Sequence, residues 1–179
     1  MNLRIISGKF GGRIIQAPIG KTTHPMGERV RGALFNIIKD ELQDTQVLDA
    51  FAGTGSLGLE AVSRGAALAT FIERDKSTVK VLNSNINMLD VVEYTTVIQA
   101  ELTTWIDKNQ DKFYDVIFVD PPYDDLQLST VSRLAGLLRL NGLMVLSYPG
   151  KGEVPLIMGV VVVDNRSYGT AALAFYRKK

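Results

Sequence analysis

From Gln46 onward the chain alternates two kinds of segment, and nothing else in it constrains the fold as strongly. Short β-rich apolar runs at 47–51, 68–73, 95–99, 114–119 and 143–147 are separated by stretches of helical spacing at 57–64, 76–89, 102–108 and 126–139. Strands joined through helices run parallel, and the helices cover both faces of the sheet they form. Two further β-rich runs, 157–163 and 171–176, have no helix between them, which predicts an antiparallel edge. The expected fold is therefore α/β: a Rossmann-like, seven-stranded, mostly parallel sheet with helices on both faces and an antiparallel edge strand.

The first 44 residues read differently. Arg4-Ile5-Ile6 and Arg13-Ile14-Ile15 are near-identical β-rich triplets around a Ser-Gly-Lys-Phe-Gly-Gly link, which predicts a hairpin. An extended connector over 17–26 carries Pro18, Gly20 and Pro25. A helix over 27–42 follows, with Val30, Leu34, Ile37, Ile38 and Leu42 on one stripe. Arg29 and Arg31 fall off that stripe and are expected to face solvent or a ligand. Residues 1–39 hold seven Lys/Arg against the single acid Glu28, a balance of +6, while the rest of the chain carries −5. Such a split suggests a polyanion partner at the basic end. The chain thus divides into a basic hairpin-and-helix extension, 1–44, and the sheet, 45–179.

Composition excludes several chemistries. With no cysteine there is no disulfide, thiolate nucleophile or cysteine-bound metal, and the one histidine, His24, has no partner for a metal site. No apolar run approaches ~20 residues, and the amino terminus lacks the apolar core of a signal peptide. A cytoplasmic protein is expected. Trp105 reads as a core residue, Asp124 and Asp125 as caps of the next helix, and Arg177, Lys178 and Lys179 as a solvated tail.

Three motifs carry chemistry. Asp49-Ala50-Phe51-Ala52-Gly53-Thr54-Gly55-Ser56-Leu57-Gly58 is a strand end, a glycine-rich turn and a helix start. Glycines let backbone approach a ligand closely, and a helix N-terminus offers free N–H groups. The spacing also serves dinucleotides, and a tight turn with no ligand role is the plainer alternative. The acid Glu73 closes the second strand, placed to accept bonds from ribose hydroxyls. Glu73 thus indicates an adenosyl ligand, and Asp49, unwelcoming to a pyrophosphate, leans toward the sulfonium and amino-acid end of S-adenosylmethionine. Third, the apolar run 116–119 stops at Asp120-Pro121-Pro122-Tyr123. Proline ends the ladder there, holding an acceptor beside an aromatic face at the sheet edge. That pair suits a flat molecule bearing an amino group.

These residues resemble the class I S-adenosylmethionine-dependent methyltransferases, and more narrowly the RsmD family, which methylates a guanine exocyclic amine in bacterial 16S ribosomal RNA. The resemblance runs through Arg4-Ile5-Ile6-Ser7-Gly8, residues 29–36, 49–58 and 59–66, Asp120-Pro121-Pro122-Tyr123 and Tyr168-Gly169-Thr170. It implies that 45–179 is a methyltransferase domain. Asp49, Phe51, Ala52, Gly53, Thr54, Gly55, Gly58, Glu73, Arg74, Glu101 and Leu102 would bind S-adenosylmethionine. Asp120, Pro121, Pro122 and Tyr123 would handle the target base, while Arg4, Lys9, Arg13, Arg29 and Arg31 would contact 16S rRNA or the assembling small subunit. A monomer without metal or membrane contact is implied. Thr23-His24-Pro25-Met26 stands where relatives carry Arg-Pro-Thr, and Tyr148-Pro149 replaces an acid often found after the 143–147 strand. The alternatives are an amino-group methyltransferase acting on DNA adenine or a protein amide, an NAD-dependent oxidoreductase, and a ribosome-assembly factor that only grips RNA.

Overall fold

The computed structural model describes residues 2–18 and 25–179; His24 and Gly20 lie outside the described residues. Chain order is β1 (Asn2–Arg4), β2 (Ile14–Gln16), α1 (Glu28–Ile37), β3 (Gln46–Asp49), α2 (Ser56–Ser63), β4 (Leu68–Glu73) and α3 (Lys76–Leu89). It continues with β5 (Thr95–Gln99), α4 (Leu102–Lys108), β6 (Tyr114–Val119), α5 (Leu128–Ala135), β7 (Leu138–Pro149), β8 (Val160–Tyr168) and β9 (Ala171–Lys178).

The main sheet has seven strands in the order β5-β4-β3-β6-β7-β9-β8. All pairings are parallel up to β7, and β9 runs antiparallel to both β7 and β8. The antiparallel edge expected from the sequence is present, with the reversed strand itself one place in from the edge. The chain winds outward from β3 through β4 to β5, then returns to place β6 on the other side of β3. That reversal opens a crevice at the carboxyl ends of β3 and β6.

Period-2 alternation explains why the central strands are apolar throughout. Val47, Val116, Phe118, Leu143 and Val145 face the layer formed with α1, α2, α3 and the hairpin. Leu48, Ile117, Val119, Met144 and Leu146 face the layer formed with α4 and α5, where Trp105 is buried as expected.

Several boundaries differ from the sequence expectation. The helix read over 126–139 ends at Ala135, because Leu138 pairs with Tyr114 and already belongs to β7. A shift in the β6–β7 register between Tyr114 and Val116, together with the left-handed Asn141 (φ 62°), lets β7 bend and rejoin β6 at Leu143. The helix read over 27–42 ends at Ile37, with a short 3₁₀ turn at Lys39–Glu41 before buried Leu42. The final strands extend to Tyr168 and Lys178. Arg177 and Lys178 are therefore not a solvated tail: Arg177 pairs with Glu41 at 2.7 Å, and Lys178 donates to the Ala135 carbonyl at 3.1 Å. Nor do Asp124 and Asp125 cap α5. Its N-cap is Gln127, in left-handed conformation (φ 50°) and without a side-chain cap.

The hairpin does not hang free. Ile5, Phe10 and Ile15 are buried in the same cluster as Phe35, Leu59 and Phe118. The fully buried Glu60 of α2 accepts the Ile6 N–H at 2.7 Å and the Ser7 N–H at 3.1 Å. One turn on, Ser63 accepts the Phe10 N–H and donates to the Ser7 carbonyl.

Candidate active site

At the end of β3 the chain turns through Gly53 (φ 51°) and Gly55 (φ 80°) into α2. Asp49 spans this turn: its carboxylate accepts the Gly58 N–H at 2.9 Å and so pins the first turn of the helix to the strand end. The side chain is 1% exposed. Burial pushes its pKa up to about 8; the Gly58 hydrogen bond opposes this, and the nearby Asp120 and Glu73 charges add to it. The three glycines have different tasks. Only Gly53 lines the cleft, and a Cβ there would meet nothing within 4 Å. A Cβ on Gly58 would stand 2.3 Å from the Phe71 ring, and one on Gly55 2.3 Å from Leu82. Gly55 and Gly58 thus permit close helix–strand packing, and neither lines the cleft.

Glu73, at the end of β4, is oriented by two backbone donors, Gly53 N–H at 3.0 Å and Asp75 N–H at 2.8 Å. Each carboxylate oxygen keeps a further lone pair for a ligand hydroxyl. Asp120 follows the last residue of β6. Its carboxyl is only partly open to the cleft, and burial raises its pKa to about 6, opposed by a hydrogen bond from Ser147. Tyr123 projects at the same corner, 39% exposed, with its phenol oxygen 2.6 Å from the Ser147 hydroxyl.

These groups surround one cleft of about 840 Å³. Asp49, Phe51, Ala52, Thr54, Glu73, Arg74, Glu101 and Leu102 line it with the whole Asp120–Tyr123 corner. Glu101 precedes α4 and lies 3.8 Å from Arg74 across the exposed mouth. Sequence reasoning missed part of the wall: Ile72 and Ala100 from the sheet layer, Ser56 from the start of α2, Met26, Gly27 and Val30 from the extension, and Thr170 from the β8–β9 turn. Ser147 was also missed, because nothing in an apolar strand pattern marks one small hydroxyl as aimed at a motif 27 residues earlier.

The four arginines and one lysine expected at RNA separate into classes. Lys9 and Arg29 are exposed, and no ion pair engages either among the described residues. Arg4 is exposed but paired with Glu28. Arg13 donates to the Met88 and Leu89 carbonyls that end α3. Arg31 is a correction: it is 1% exposed and donates to the Met26 and Arg4 carbonyls at 3.2 and 2.6 Å. Burial lowers its pKa, with the Glu60 and Glu28 charges opposing the effect. The helix stripe places Arg31 off the sheet, as read, but the hairpin covers that second face. As placed, it cannot touch RNA.

No helix among the described residues is long and apolar enough to cross a membrane. A protein family described as conserved hypothetical protein 95 matches residues 3–177. The chain is 31% identical to YlbH of Bacillus subtilis, named as a candidate rRNA methyltransferase, across 99% of this chain and 100% of that one. It is 38% identical to ribosomal RNA small subunit methyltransferase D of Escherichia coli over 140 residues, covering 78% of this chain and 68% of that protein. Among solved structures, a candidate methyltransferase of Escherichia coli, yhhF, superposes with a TM-score of 0.88 at 31% identity, covering 100% of this chain and 99% of that one. A match from the hairpin to the last strand, joined to the acidic cleft at the β3–β6 switch point, places the chain in the RsmD family of ribosomal RNA methyltransferases.

Proposed function

We propose that this protein transfers a methyl group from S-adenosylmethionine to the exocyclic N2 amine of a guanine in 16S ribosomal RNA. The carrying observation is the convergence of Asp49, Glu73 and Asp120 on one cleft at the sheet's switch point. Three carboxyls around one cleft suit a cationic adenosyl ligand and oppose the pyrophosphate of a dinucleotide. The residues present fit S-adenosylmethionine, which supplies, when bound, a methyl group on a cationic sulfur. Glu73 would hold the ribose, Asp49 the charged amino-acid end through the α2 turn, and Leu102 with Ile72 the adenine faces.

The remaining work belongs to the corner. A guanine amine is a poor nucleophile, its lone pair being delocalised into the ring. Asp120 and the carbonyl that follows it accept its N–H groups and favour a pyramidal nitrogen. As methylation builds positive charge on that nitrogen, the fixed carboxylate stabilises it without reorganising. Tyr123 stacks on the base and sets its plane. The methylated ammonium is acidic enough to lose its proton without a dedicated base, so positioning supplies much of the acceleration. To reach this corner the base leaves its stack. Residues 1–44 grip the surrounding RNA, through Lys9 and Arg29 first, and the protein works as a monomer in the cytoplasm on 16S rRNA or an assembling small subunit.

Methyl transfer to undermethylated small subunits, read by mass spectrometry of the nucleosides, tests this. Asp120→Ala is expected to lower kcat by at least about a hundredfold while S-adenosylhomocysteine still binds. Full transfer by that variant, or a product other than N2-methylguanosine, would sink the proposal.

A further inference from the structure

At the β6–β7 end of the cleft the polar groups form a chain that no motif in the sequence announces. Tyr123 Oη and Ser147 Oγ lie 2.6 Å apart. Ser147 follows Leu146, the register partner of Val119, so it stands beside Asp120 on the neighbouring strand, where it favours the ionised carboxyl. Ser147 is 1% exposed, so solvent does not serve its hydroxyl. A hydroxyl has one proton to give, and a carboxylate can only accept. The order that satisfies all three groups has Ser147 donating to an ionised Asp120 and accepting the Tyr123 O–H. Burial and the Asp120 charge both help the phenol keep that proton.

Resting on the methyl-transfer reading above, we propose that Ser147 is a positioning residue that ties the stacking ring of Tyr123 to the amine acceptor Asp120. The ring is held at two ends, by the Pro122 backbone and by its own hydroxyl. Its plane is thus set relative to the carboxylate, and a base stacked on it presents its amine to the same oxygen each time. The bond also favours the ionised, accepting form of Asp120. Other groups around the cleft work the opposite way or stand aside. Asp49 on β3 and Glu73 on β4 add negative charge, Asp124 follows on the same corner, and Arg74 at the mouth faces Glu101.

The test uses the intact protein and kcat against pH for transfer to undermethylated small subunits. In the parent, kcat falls with acidity as Asp120 protonates near its pKa of about 6. Ser147→Ala is expected to lower kcat about tenfold, the worth of one hydrogen bond to a charged group. It should also move the acid limb to higher pH and leave S-adenosylhomocysteine affinity unchanged. Tyr123→Phe, on an exposed side chain, keeps the fold; it should shift the limb the same way, and the double variant should be no worse than Ser147→Ala alone. A merely structural serine would lower Tm and leave the limb in place. An unmoved limb in both single variants, or additive losses in the double, overturns the assignment. Asp120→Ala separates the levels: if it is inactive while Ser147→Ala is normal, only the role of Ser147 fails. Activity in Asp120→Ala would instead remove the reading of the corner itself.

Discussion

Asp49 makes two demands of opposite sign on the protein, and Asp49→Asn pulls them apart. Unfolded, the carboxyl ionises near its ordinary 3.8; folded and ligand-free, it does so at about 8. The native state therefore holds a proton that the unfolded chain has released across that whole interval. Stability is greatest below the unfolded value and falls as pH rises, by about 1.4 kcal/mol per pH unit for the single proton, levelling off above the folded value. Between about pH 5.5 and 7.5 the loss reaches roughly 2.5 kcal/mol. The asparagine keeps an oxygen for the Gly58 N–H and has nothing to titrate. Urea unfolding of both proteins at the two pH values gives a difference in which other groups largely cancel. The variant should gain about 2.5 kcal/mol on the parent as pH rises. It should also bind S-adenosylhomocysteine more weakly, having lost the carboxylate proposed to meet the ammonium. Parallel pH profiles for parent and variant would refute the burial argument, and unchanged S-adenosylhomocysteine affinity would refute the assigned role.

Two other measurements address the extension. Glu60→Gln leaves the Ile6 and Ser7 N–H groups and Arg64 sharing a neutral amide, and should cost about 3 kcal/mol, seen as a drop in Tm; an unchanged Tm would mean that the hairpin latch is idle. Lys9→Ala and Arg29→Ala should each weaken RNA binding and reduce its salt dependence by about one unit of slope, whereas Arg31→Met should lower Tm and leave the slope alone. Equal slope changes at Arg29 and Arg31 would contradict the burial of Arg31.

What the sequence made legible followed from local rules. The helices over 76–89 and 102–108 match α3 and α4 residue for residue, because each has a clean apolar stripe and a distinct start. The Asp49 and Glu73 positions were readable because strand ends in a parallel sheet carry ligand groups at one edge. The errors share a cause: contacts between segments distant in sequence. Leu138 joins a strand only because Tyr114 is beside it, and Arg177 is held only because Glu41 lies across the sheet end. Gly55 and Gly58 look like ligand glycines until Leu82 and Phe71 are seen to occupy the space a side chain would need. Ser147 becomes a polar partner of Tyr123 only once β7 lies next to β6.

The misread arginine leads furthest. Arg31 is costly to bury, its Nε without a partner, and it stays charged because the Met26 and Arg4 carbonyls accept hydrogen bonds from its terminal nitrogens while Glu60 lies near enough to favour the cation. Glu60 in turn is spent on the hairpin backbone and on Arg64 at 2.7 Å. The charges fasten the hairpin, α1 and α2 together, leaving Lys9 and Arg29 exposed on a fixed frame. Helix α2 also serves the cleft: its first turn holds Asp49 through Gly58, and Ser56 and Leu57 line the wall. Eight residues of helix, about 12 Å, therefore join the surface proposed to grip RNA to the loop proposed to receive the adenosyl ligand. With no hinge between them, RNA held at the hairpin as proposed would lie at a set distance from Asp120. On the proposed reading, the same buried ion cluster that stabilises the fold also sets the reach from the hairpin to Asp120.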